Sequence, residues 1–553
     1  LLRDGHGRLR AWRAAGLLGG SAVVAWALAK RLLKKRRRWP PAQLDPSCRE
    51  PAGGKPLRVV ILGAGVGGSF SAMWLRETFG KRLDLTVISD GPVGGRCQLI
   101  DMPKQTAGGG GGSEQYECGA SIISELNEYM VDMMRHFGLE QQESVPIPDG
   151  IYDGSGFVFQ EACLRPLIVG SIVSFWRVLR RYGLSDIFKL RRALTSRKGL
   201  PDFQKLYTLL HEGAAFRHPQ DMLRTLTRGG GSGCFDLTQQ SSEAWLSARV
   251  ARPLMSELIE GGMRSNYGGQ GLGQLHALVG LISIAGGIAS RCFRIKGGNV
   301  QVMQKALDAA QATRIAGTVR EVRCMVGSKA WEGGSSARFR VSFDREVGEA
   351  MKGPAQAQAS GEVEHLDADV VFLAHHLSRS SLRLTGVEDA VASMSPGSMR
   401  RCCTHFLRGR IKAEYFGAPG TVVPPAILTV GDRTPFYSIG LQMPVDASKS
   451  TARRILLDVF KGKKATFKVF AGRELPAEEL AQIFDYDRET LKVVDWYAYP
   501  EYCVPQPLLP FVLAPGLVYL NAVESVGSAM EMSAIAARNA VNLVCQWHPR
   551  GER

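Results

Sequence analysis

The chain has 553 residues, of which 45% are hydrophobic and 22% charged, and this composition excludes wholesale disorder. The net charge of +17 is typical of nucleic-acid binding, but residues 1–50 alone contribute +9, from 12 Lys and Arg against three acidic residues. Because much of the excess lies in a terminal segment and no nucleic-acid-binding motif accompanies it, we exclude nucleic-acid binding as the main function.

The N-terminal segment has the charge pattern of a membrane anchor. Residues 14–29 form an uncharged run that arginines precede and a basic cluster at 30–38 follows. The run is shorter than the roughly twenty residues that span a bilayer, although flanking Lys and Arg can snorkel. The heavier basic flank on the C-terminal side predicts a membrane-associated chain whose body faces the cytosol, and it also suits the mitochondrial outer membrane. The alternative is a targeting segment without membrane residence, and a linker rich in Pro and Gly follows at 40–56.

A glycine-rich turn at 63–68 joins a short apolar run to an amphipathic helical pattern. Gly63 permits the tight turn, Gly65 lets the backbone approach a pyrophosphate, and Gly68 lets the helix pack close to the strand. The helix N-terminus offers N–H groups and a partial positive charge to phosphates. A second strand pattern at 85–88 ends where the ribose should lie, so the order of elements predicts a dinucleotide site.

The segment from 124 to about 228 is mostly helical in pattern, and residues 164–194 combine many apolar and basic side chains. One interpretation is a helix pair that packs its apolar face on the core and leaves its arginines solvated. The other is a surface that docks on a membrane or admits a lipid-like substrate.

Strands dominate the pattern again at 315–373, and a further helix is expected at about 476–492. Residues 368–374 read as a buried strand that returns to a parallel sheet. A strand at 517–521 leads into a helix of small residues at 527–544. These elements predict a discontinuous fold whose first and last segments share one sheet.

Several short motifs occur along the chain in a fixed order. They are GAGVGG (63–68), VGGR (93–96), YECG (116–119), RYG (181–183), NYG (266–268), KGGN (296–299), WYAYPEY (496–502), YLN (519–521) and SAMEMSAIAA (528–537). With these motifs the chain resembles the prenylcysteine oxidase family, which is related to the amine-oxidase and phytoene-desaturase flavoproteins. The glycine motifs fit many FAD enzymes, whereas the C-terminal segment is more specific to this family.

The resemblance implies an α/β fold with a Rossmann-type FAD-binding domain that is discontinuous in sequence and a second α+β substrate domain. The implied boundaries are 1–50 for the anchor and linker and 51–553 for the body, with FAD-binding parts at about 56–125, 290–390 and 505–548 and substrate-domain parts at about 126–289 and 391–504.

The resemblance also implies FAD as cofactor and prenylcysteine as substrate, in the catabolism of prenylated proteins. The flavin oxidises the prenyl carbon next to sulfur, water adds there, and the product collapses to cysteine and a prenyl aldehyde. Molecular oxygen reoxidises the flavin and yields hydrogen peroxide. Because the cofactor supplies this chemistry, no residue is assigned a catalytic role. The family's usual location is lysosomal or vacuolar, in contrast to the charge pattern of residues 1–50.

The resemblance further implies which residues contact FAD. They are Gly63, Gly65 and Gly68 at the pyrophosphate, Gly95 and Arg96 near the phosphates or the flavin edge, Ser89 or Asp90 at the ribose, Val319 at the adenine, and Glu524, Met530 and Glu531 by the ribityl chain and isoalloxazine. The alternative for Arg96 is a surface ion pair. The alternative for Glu524 and Glu531 is ordinary helix capping.

Two positions depart from the family pattern. Ser89 stands where an acidic residue usually accepts hydrogen bonds from the ribose, although Asp90 follows directly. His375 and His376 replace a Thr-Pro pair after a predicted strand, and we interpret them as loop histidines because no acidic or cysteine partner lies at metal-ligand spacing, so no metal is expected.

Two other functions remain open at this point. The first is a related FAD oxidase or desaturase that acts on another amine or isoprenoid. The second is a catalytically weak homologue that serves as a membrane-associated interaction protein.

Overall fold

The structure, a computed structural model, describes residues 55–104, 112–164, 166–195, 203–226, 233–325, 338–347, 358–392 and 394–547. The expected anchor and nearly all of the linker lie outside these ranges. Among the helices described, none is both long enough and apolar enough to cross a bilayer.

The described part of the chain contains both strands and helices, and a run of helices lies between β7 and β8. The strands are β1 (Leu57–Leu62), β2 (Leu83–Ser89), β3 (Leu99–Pro103), β4 (Ser113–Glu117), β5 (Ile123–Ser124), β6 (Asp149–Tyr152), β7 (Phe157–Gln160), β8 (Cys292–Phe293), β9 (Thr313–Cys324), β10 (Phe339–Val347), β11 (Gln358–Ala368), β12 (Val370–Leu373), β13 (Arg383–Thr385), β14 (Met399–Ile411), β15 (Ala426–Thr429), β16 (Ser438–Leu441), β17 (Ala465–Ala471), β18 (Phe484–Pro500), β19 (Val512–Ala514) and β20 (Leu517–Tyr519). The α-helices are α1 (Val66–Phe79), α2 (Glu128–His136), α3 (Leu167–Tyr182), α4 (Leu184–Thr195), α5 (Lys205–His211), α6 (Pro219–Arg224), α7 (Ser242–Ser247), α8 (Glu260–Asn266), α9 (Ala277–Ala289), α10 (Val300–Ala310), α11 (Glu388–Val391), α12 (Lys449–Val459), α13 (Ala477–Ile483) and α14 (Met530–Trp547). A π-helical turn (Leu254–Ile259) precedes α8, and short 3-10 helices lie at Gly80–Arg82, Gly233–Thr238, Leu377–Arg379, Ala413–Phe416 and Leu520–Ser525.

The larger sheet has the strand order β11-β10-β9-β2-β1-β12-β20-β19, with β13 paired to β9. Its centre is parallel: β1 pairs with β2 on one side and with β12 on the other, and β12 pairs with β20. These strands read as apolar runs because both faces of a parallel sheet are covered. The first and last segments of the chain therefore share one sheet, as predicted.

The smaller sheet has the order β18-β14-β17-β16-β15-β6-β7, with only the β15–β6 pair parallel. Together the two sheets make the predicted α/β class, a discontinuous Rossmann-type sheet accompanied by a second, mainly antiparallel one.

Two local predictions are wrong. The helix expected at about 476–492 ends at Ile483, where β18 begins, and residues 484–487 pair with β14. Strands β6 and β7 also interrupt the segment that was expected to be mostly helical. In both places the segment pairs with a neighbouring strand although its local sequence pattern favours a helix. Strand formation depends on such neighbours as well as on the local sequence.

The apolar sides of these elements form one large core around the parallel sheet and a second core under the smaller sheet. Helices α1 and α14 pack against each other beside β1. The start of α1 and the start of α14 are thereby held at the same edge of the larger sheet.

Candidate functional site

The turn between β1 and α1 accepts only glycine at two positions. Gly63 has φ +112°, and a Cβ there would lie 2.9 Å from the carbonyl oxygen of Ala374. A Cβ on Gly68 would lie 1.9 Å from the carbonyl oxygen of Gly63, which is not physically possible without movement of the backbone. The Gly63 amide donates to the Ile88 carbonyl at 2.8 Å, so the turn is tied to the end of β2.

The N-terminus of α1 suits an anion. Gly65 at the N-cap has no side chain to cap the helix, and no acidic residue lies in the first turn. A Cβ on Gly65 would lie 4.0 Å from the carbonyl oxygen of Gly94 and from the Cα of Gly95, so this glycine faces a neighbouring glycine turn without a clash. A helix N-terminus whose N-cap residue has no capping side chain suits a phosphate.

A second glycine turn lies directly against the first. The Gly94 amide donates to the Ala64 carbonyl at 2.9 Å, and a Cβ on Gly95 would lie 3.3 Å from the Cα of Gly65. Both Gly94 and Gly95 have positive φ, which favours glycine. The structure thus brings together the two glycine motifs that the sequence placed in one site.

The expected ribose and adenine residues lie at one edge of the larger sheet. Ser89 ends β2, and its hydroxyl oxygen accepts a hydrogen bond from the Gly91 amide at 3.3 Å and lies 3.0 Å from the Gly91 carbonyl. Asp90 follows and is exposed. Val319 lies three residues beyond Ala316, the β9 partner of Ser89, and is therefore at the same edge. The contacts of Ser89, Asp90 and Val319 with FAD stay predictions.

Arg96 and Glu524 form a bidentate ion pair between residues 428 positions apart. The Arg96 guanidinium also donates to the Ala498 carbonyl at 2.6 Å, and the Asn521 amide donates to Glu524 at 2.7 Å. The Glu524 side chain is only 2% exposed. This is not the surface ion pair considered for Arg96, because a carboxylate so deeply buried depends on its charged partner.

Glu531 occupies a different place from Glu524. Its carboxylate accepts hydrogen bonds from the amides of Tyr129 and Met130 at 2.8 and 3.0 Å, in the first turn of α2. Burial raises the pKa of Glu531 to about 7. Glu531 therefore caps a helix, as the alternative interpretation predicts, but the helix that it caps is α2 rather than its own. Met530, the first residue of α14, is half-buried against the core.

Two tyrosine-containing motifs meet beside the Arg96–Glu524 pair. The ring of Tyr267 lies 5.4 Å from that of Tyr499 and 5.5 Å from that of Tyr502, between centroids. The Tyr502 hydroxyl donates to the Glu524 carbonyl at 3.0 Å and accepts from the Ser528 amide at 2.9 Å. The sequence assigned no role to these tyrosines, although both motifs contributed to the resemblance.

His375 lies at the same edge, in the loop after β12. Its Nδ1 is 3.4 Å from the carbonyl oxygen of Leu62, the last residue of β1, whereas its buried Nε2 has no hydrogen-bond partner among the residues that the structure describes. Burial lowers the pKa of His375, against the opposing effects of the Leu62 carbonyl and Asp90, so the ring is neutral at pH 7. His375 lies in a loop, as predicted, but the sequence did not predict that its ring nitrogen Nε2 is buried at this edge of the sheet.

A buried lysine joins the smaller sheet to the separate two-stranded sheet of β3 and β4. Lys468 on β17 donates to the carbonyl oxygen of Glu117, at the end of β4, at 3.2 Å, and its ammonium lies 4.9 Å from the ring centroid of Phe470. Burial lowers the pKa of Lys468 to about 8 and raises that of Glu117 to about 7. The Asn299 amide also donates to the Glu117 carboxylate at 2.7 Å. The sequence analysis did not single out Lys468, although a lysine within an apolar strand is a pattern that could have indicated a buried charge. In the residues described, no group of three His, Cys, Asp or Glu side chains could hold a metal ion.

The sequence is similar to one known protein family over most of its length. A family model described as Prenylcysteine lyase matches residues 169–551. Prenylcysteine oxidase 1-like from Homo sapiens is 28% identical over 494 residues, which cover 88% of this chain and 90% of that protein. Prenylcysteine oxidase 1 from Bos taurus is 27% identical over 513 residues, which cover 91% of this chain and 90% of that protein.

Solved structures show the same fold at low identity. Cyclohexylamine oxidase from Brevibacterium oxydans has a TM-score of 0.50 and 15% identity, and the match covers 90% of this chain and 100% of that one. A fatty acid isomerase from P. acnes has a TM-score of 0.51 and 11% identity, with the same coverage of both chains. At these identities the likeness concerns the fold alone.

The glycine turn yields a matched pair of substitutions. In Gly68→Ala the new methyl group would lie 1.9 Å from the Gly63 carbonyl oxygen, and the backbone would have to move. The substitution should therefore lower the free energy of unfolding by about 2 kcal/mol or more. In Gly67→Ala the new methyl group meets nothing closer than 3.6 Å, so stability should change by no more than about 0.5 kcal/mol. Urea denaturation of both variants checks this, and equal midpoints would contradict the geometry of the turn.

Proposed function

The chain belongs to the prenylcysteine lyase family, and on that premise we propose that it is an FAD-dependent oxidase that cleaves the thioether of farnesyl- or geranylgeranylcysteine. The observation that carries the proposal is the junction of the two glycine turns with the C-terminal segment through Arg96 and Glu524. Tyrosine rings lie directly beside that junction. In this proposal the cofactor adjoins an apolar wall formed by these rings, as oxidation of an isoprenoid thioether requires.

The described residues fit a bound FAD. The N-terminus of α1, which has no capping side chain and no acidic residue in its first turn, would receive the pyrophosphate, with the backbone of Gly94 and Gly95 close to Gly65. Asp90 is exposed at the end of β2 for the ribose, and the buried Nε2 of His375 offers a further hydrogen bond at this edge. An unsatisfied buried nitrogen costs free energy, which a polar cofactor atom would recover.

The proposed reaction balances with water and oxygen. Prenylcysteine, oxygen and water give cysteine, a prenyl aldehyde and hydrogen peroxide: the carbon–sulfur bond breaks, and a carbonyl forms on the prenyl carbon that was next to sulfur. Bound FAD would supply the two-electron oxidation of that carbon, with oxygen as the final electron acceptor. The sulfur leaves as the thiol of cysteine and takes up a proton.

The protein's own contribution is to bind, orient and exclude water. The half-buried ring of Tyr499 would present the apolar surface that a prenyl chain needs, and the buried rings of Tyr267 and Tyr502 lie behind it. Tyr502 is fixed by its hydrogen bonds to Glu524 and Ser528, so the wall is rigidly attached to the cofactor side of the site. A rigid apolar wall lowers the entropic cost of positioning the carbon next to sulfur.

Turnover tests the proposal directly. The full chain, loaded with FAD, should consume farnesylcysteine in air and release one hydrogen peroxide and one free cysteine thiol per substrate. The two products are measured separately, with farnesol, which lacks the thioether, as the control substrate. A yellow protein that oxidises neither farnesylcysteine nor geranylgeranylcysteine would favour the oxidase or desaturase of another substrate. A protein that cannot be loaded with FAD would favour the non-catalytic homologue.

Substitution of His375 separates its proposed role from simple packing. His375→Leu should weaken FAD binding about tenfold, the effect of one lost hydrogen bond of about 1–1.5 kcal/mol. His375→Gln keeps a donor and should bind FAD within about threefold of the original protein. Flavin fluorescence on titration measures both affinities, and equal affinities for all three proteins would remove His375 from the site.

We propose that residues 1–50 associate the chain with a membrane, because an uncharged run at 14–29 lies between basic flanks. The charge pattern favours a cytosol-facing body, whereas the family's usual location is lysosomal or vacuolar. Alkaline carbonate washing of membranes that contain the full chain tests the anchor. Retention in the pellet supports it, and complete release contradicts it.

A further inference from the structure

One face of helix α3 packs against the rest of the protein. Gly170, Ser174 and Val178 are four residues apart, lie on one face and are buried. The Ser174 hydroxyl accepts a hydrogen bond from the Ala162 amide at 2.8 Å, and a Cβ on Gly170 would lie 2.9 Å from the Ala162 carbonyl oxygen. This face is the conventional packing surface of an amphipathic helix.

A second apolar face of the same helix points into solvent. Ile168, Ile172 and Trp176 are also four residues apart, and they are 63%, 54% and 64% exposed. Leu184 and Phe188 on α4 are 48% and 47% exposed. Of the eleven large apolar residues that are exposed in the described part of the chain, seven lie between positions 164 and 188. Single exposed apolar residues are ordinary, but such a concentration marks an interaction surface.

Basic side chains border this apolar face. Helix α3 contains no Asp or Glu, and its exposed Arg177 and Arg180 lie one and four residues beyond Trp176. On α4, Arg192 is exposed, and exposed Lys189 is paired with Asp186 at 2.8 Å. Arg180 continues the stripe of Ile168, Ile172 and Trp176, so charge and apolar surface are contiguous. The surface therefore complements a partner that is apolar inside and anionic at its boundary.

We propose that α3 and α4 form a docking surface for a lipid bilayer with anionic headgroups. A tryptophan between aliphatic side chains and arginines is the composition of a helix that lies in the membrane interface. A second copy of the chain is a poorer partner, because an isologous contact would bring the same basic border against itself. This surface is separate from residues 1–50 and would fix the orientation of the body on the membrane.

The docking surface lies close to the candidate site. Helix α4 packs against α9. The ring of His276, at the N-cap of α9, contacts the Ser525 carbonyl at 3.0 Å, and Ile282 on α9 lies beside Gly527. One helix therefore separates the membrane-facing surface from the segment that contains Glu524. The consequence that an isoprenoid substrate enters from the bilayer rests on the proposed function, whereas the docking itself does not.

Fluorescence quenching tests the docking without reference to activity. The full chain is mixed with vesicles of phosphatidylcholine and phosphatidylserine in which a fraction of the lipid has brominated acyl chains, and Trp176→Phe is measured in parallel. The other eight of the nine tryptophans are common to both proteins, so the difference reports Trp176 alone. We expect quenching that the variant lacks. Equal quenching of both proteins would overturn the proposal.

A charge substitution with a matched control completes the test. Ile172→Glu should weaken the Trp176 quenching at least about tenfold, because a carboxylate in the interface opposes insertion. Val363→Glu changes a side chain of comparable exposure, 49%, on β11 and should leave the quenching unchanged. Equal loss in both variants would contradict a specific surface. A concentration-dependent dimer that Ile172→Glu disrupts, with Trp176 unquenched by vesicles, would assign the surface to a second copy instead.

Discussion

The ion pair between Arg96 and Glu524 connects the two parts of the chain that build the candidate site. Arg96 follows the second glycine turn, and Glu524 lies in the segment between β20 and α14. The carboxylate is buried, so loss of Arg96 would leave its charge without a cationic partner at a cost of about 3–5 kcal/mol. The apolar wall of Tyr267, Tyr499 and Tyr502 is attached to the same segment, because the Tyr502 hydroxyl donates a hydrogen bond to the Glu524 carbonyl oxygen.

The parallel sheet explains why these groups meet. Strands β2, β1, β12 and β20 are adjacent and parallel, so their carboxyl ends reach one edge. The residues that follow those ends are Asp90, Gly63, Ala374 and Leu520, although they are far apart in sequence. Ligands of open α/β sheets bind in the crevice at this edge. Position in the sheet, rather than any single side chain, thus defines the site.

Much of this arrangement could be predicted from residue patterns. The glycine positions follow from local geometry, since Gly63 and Gly68 are required by backbone contacts within and beside the turn itself. The partners of buried side chains could not be predicted in this way. Glu531 binds the start of α2, about 400 positions earlier in the chain, and no local pattern specifies that partner. Helix α3 illustrates a related limit, since periodicity identifies its two apolar faces but not which one meets solvent.

Anaerobic titration of the FAD-loaded full chain with farnesylcysteine tests the central claim most directly. It examines oxidation of the substrate by the bound flavin without oxygen or product assays. The visible absorption of oxidised flavin should bleach in proportion to added substrate, reach completion at one equivalent, and return when air is admitted. Absorption that persists in excess farnesylcysteine, from protein with a full complement of FAD, would contradict the account.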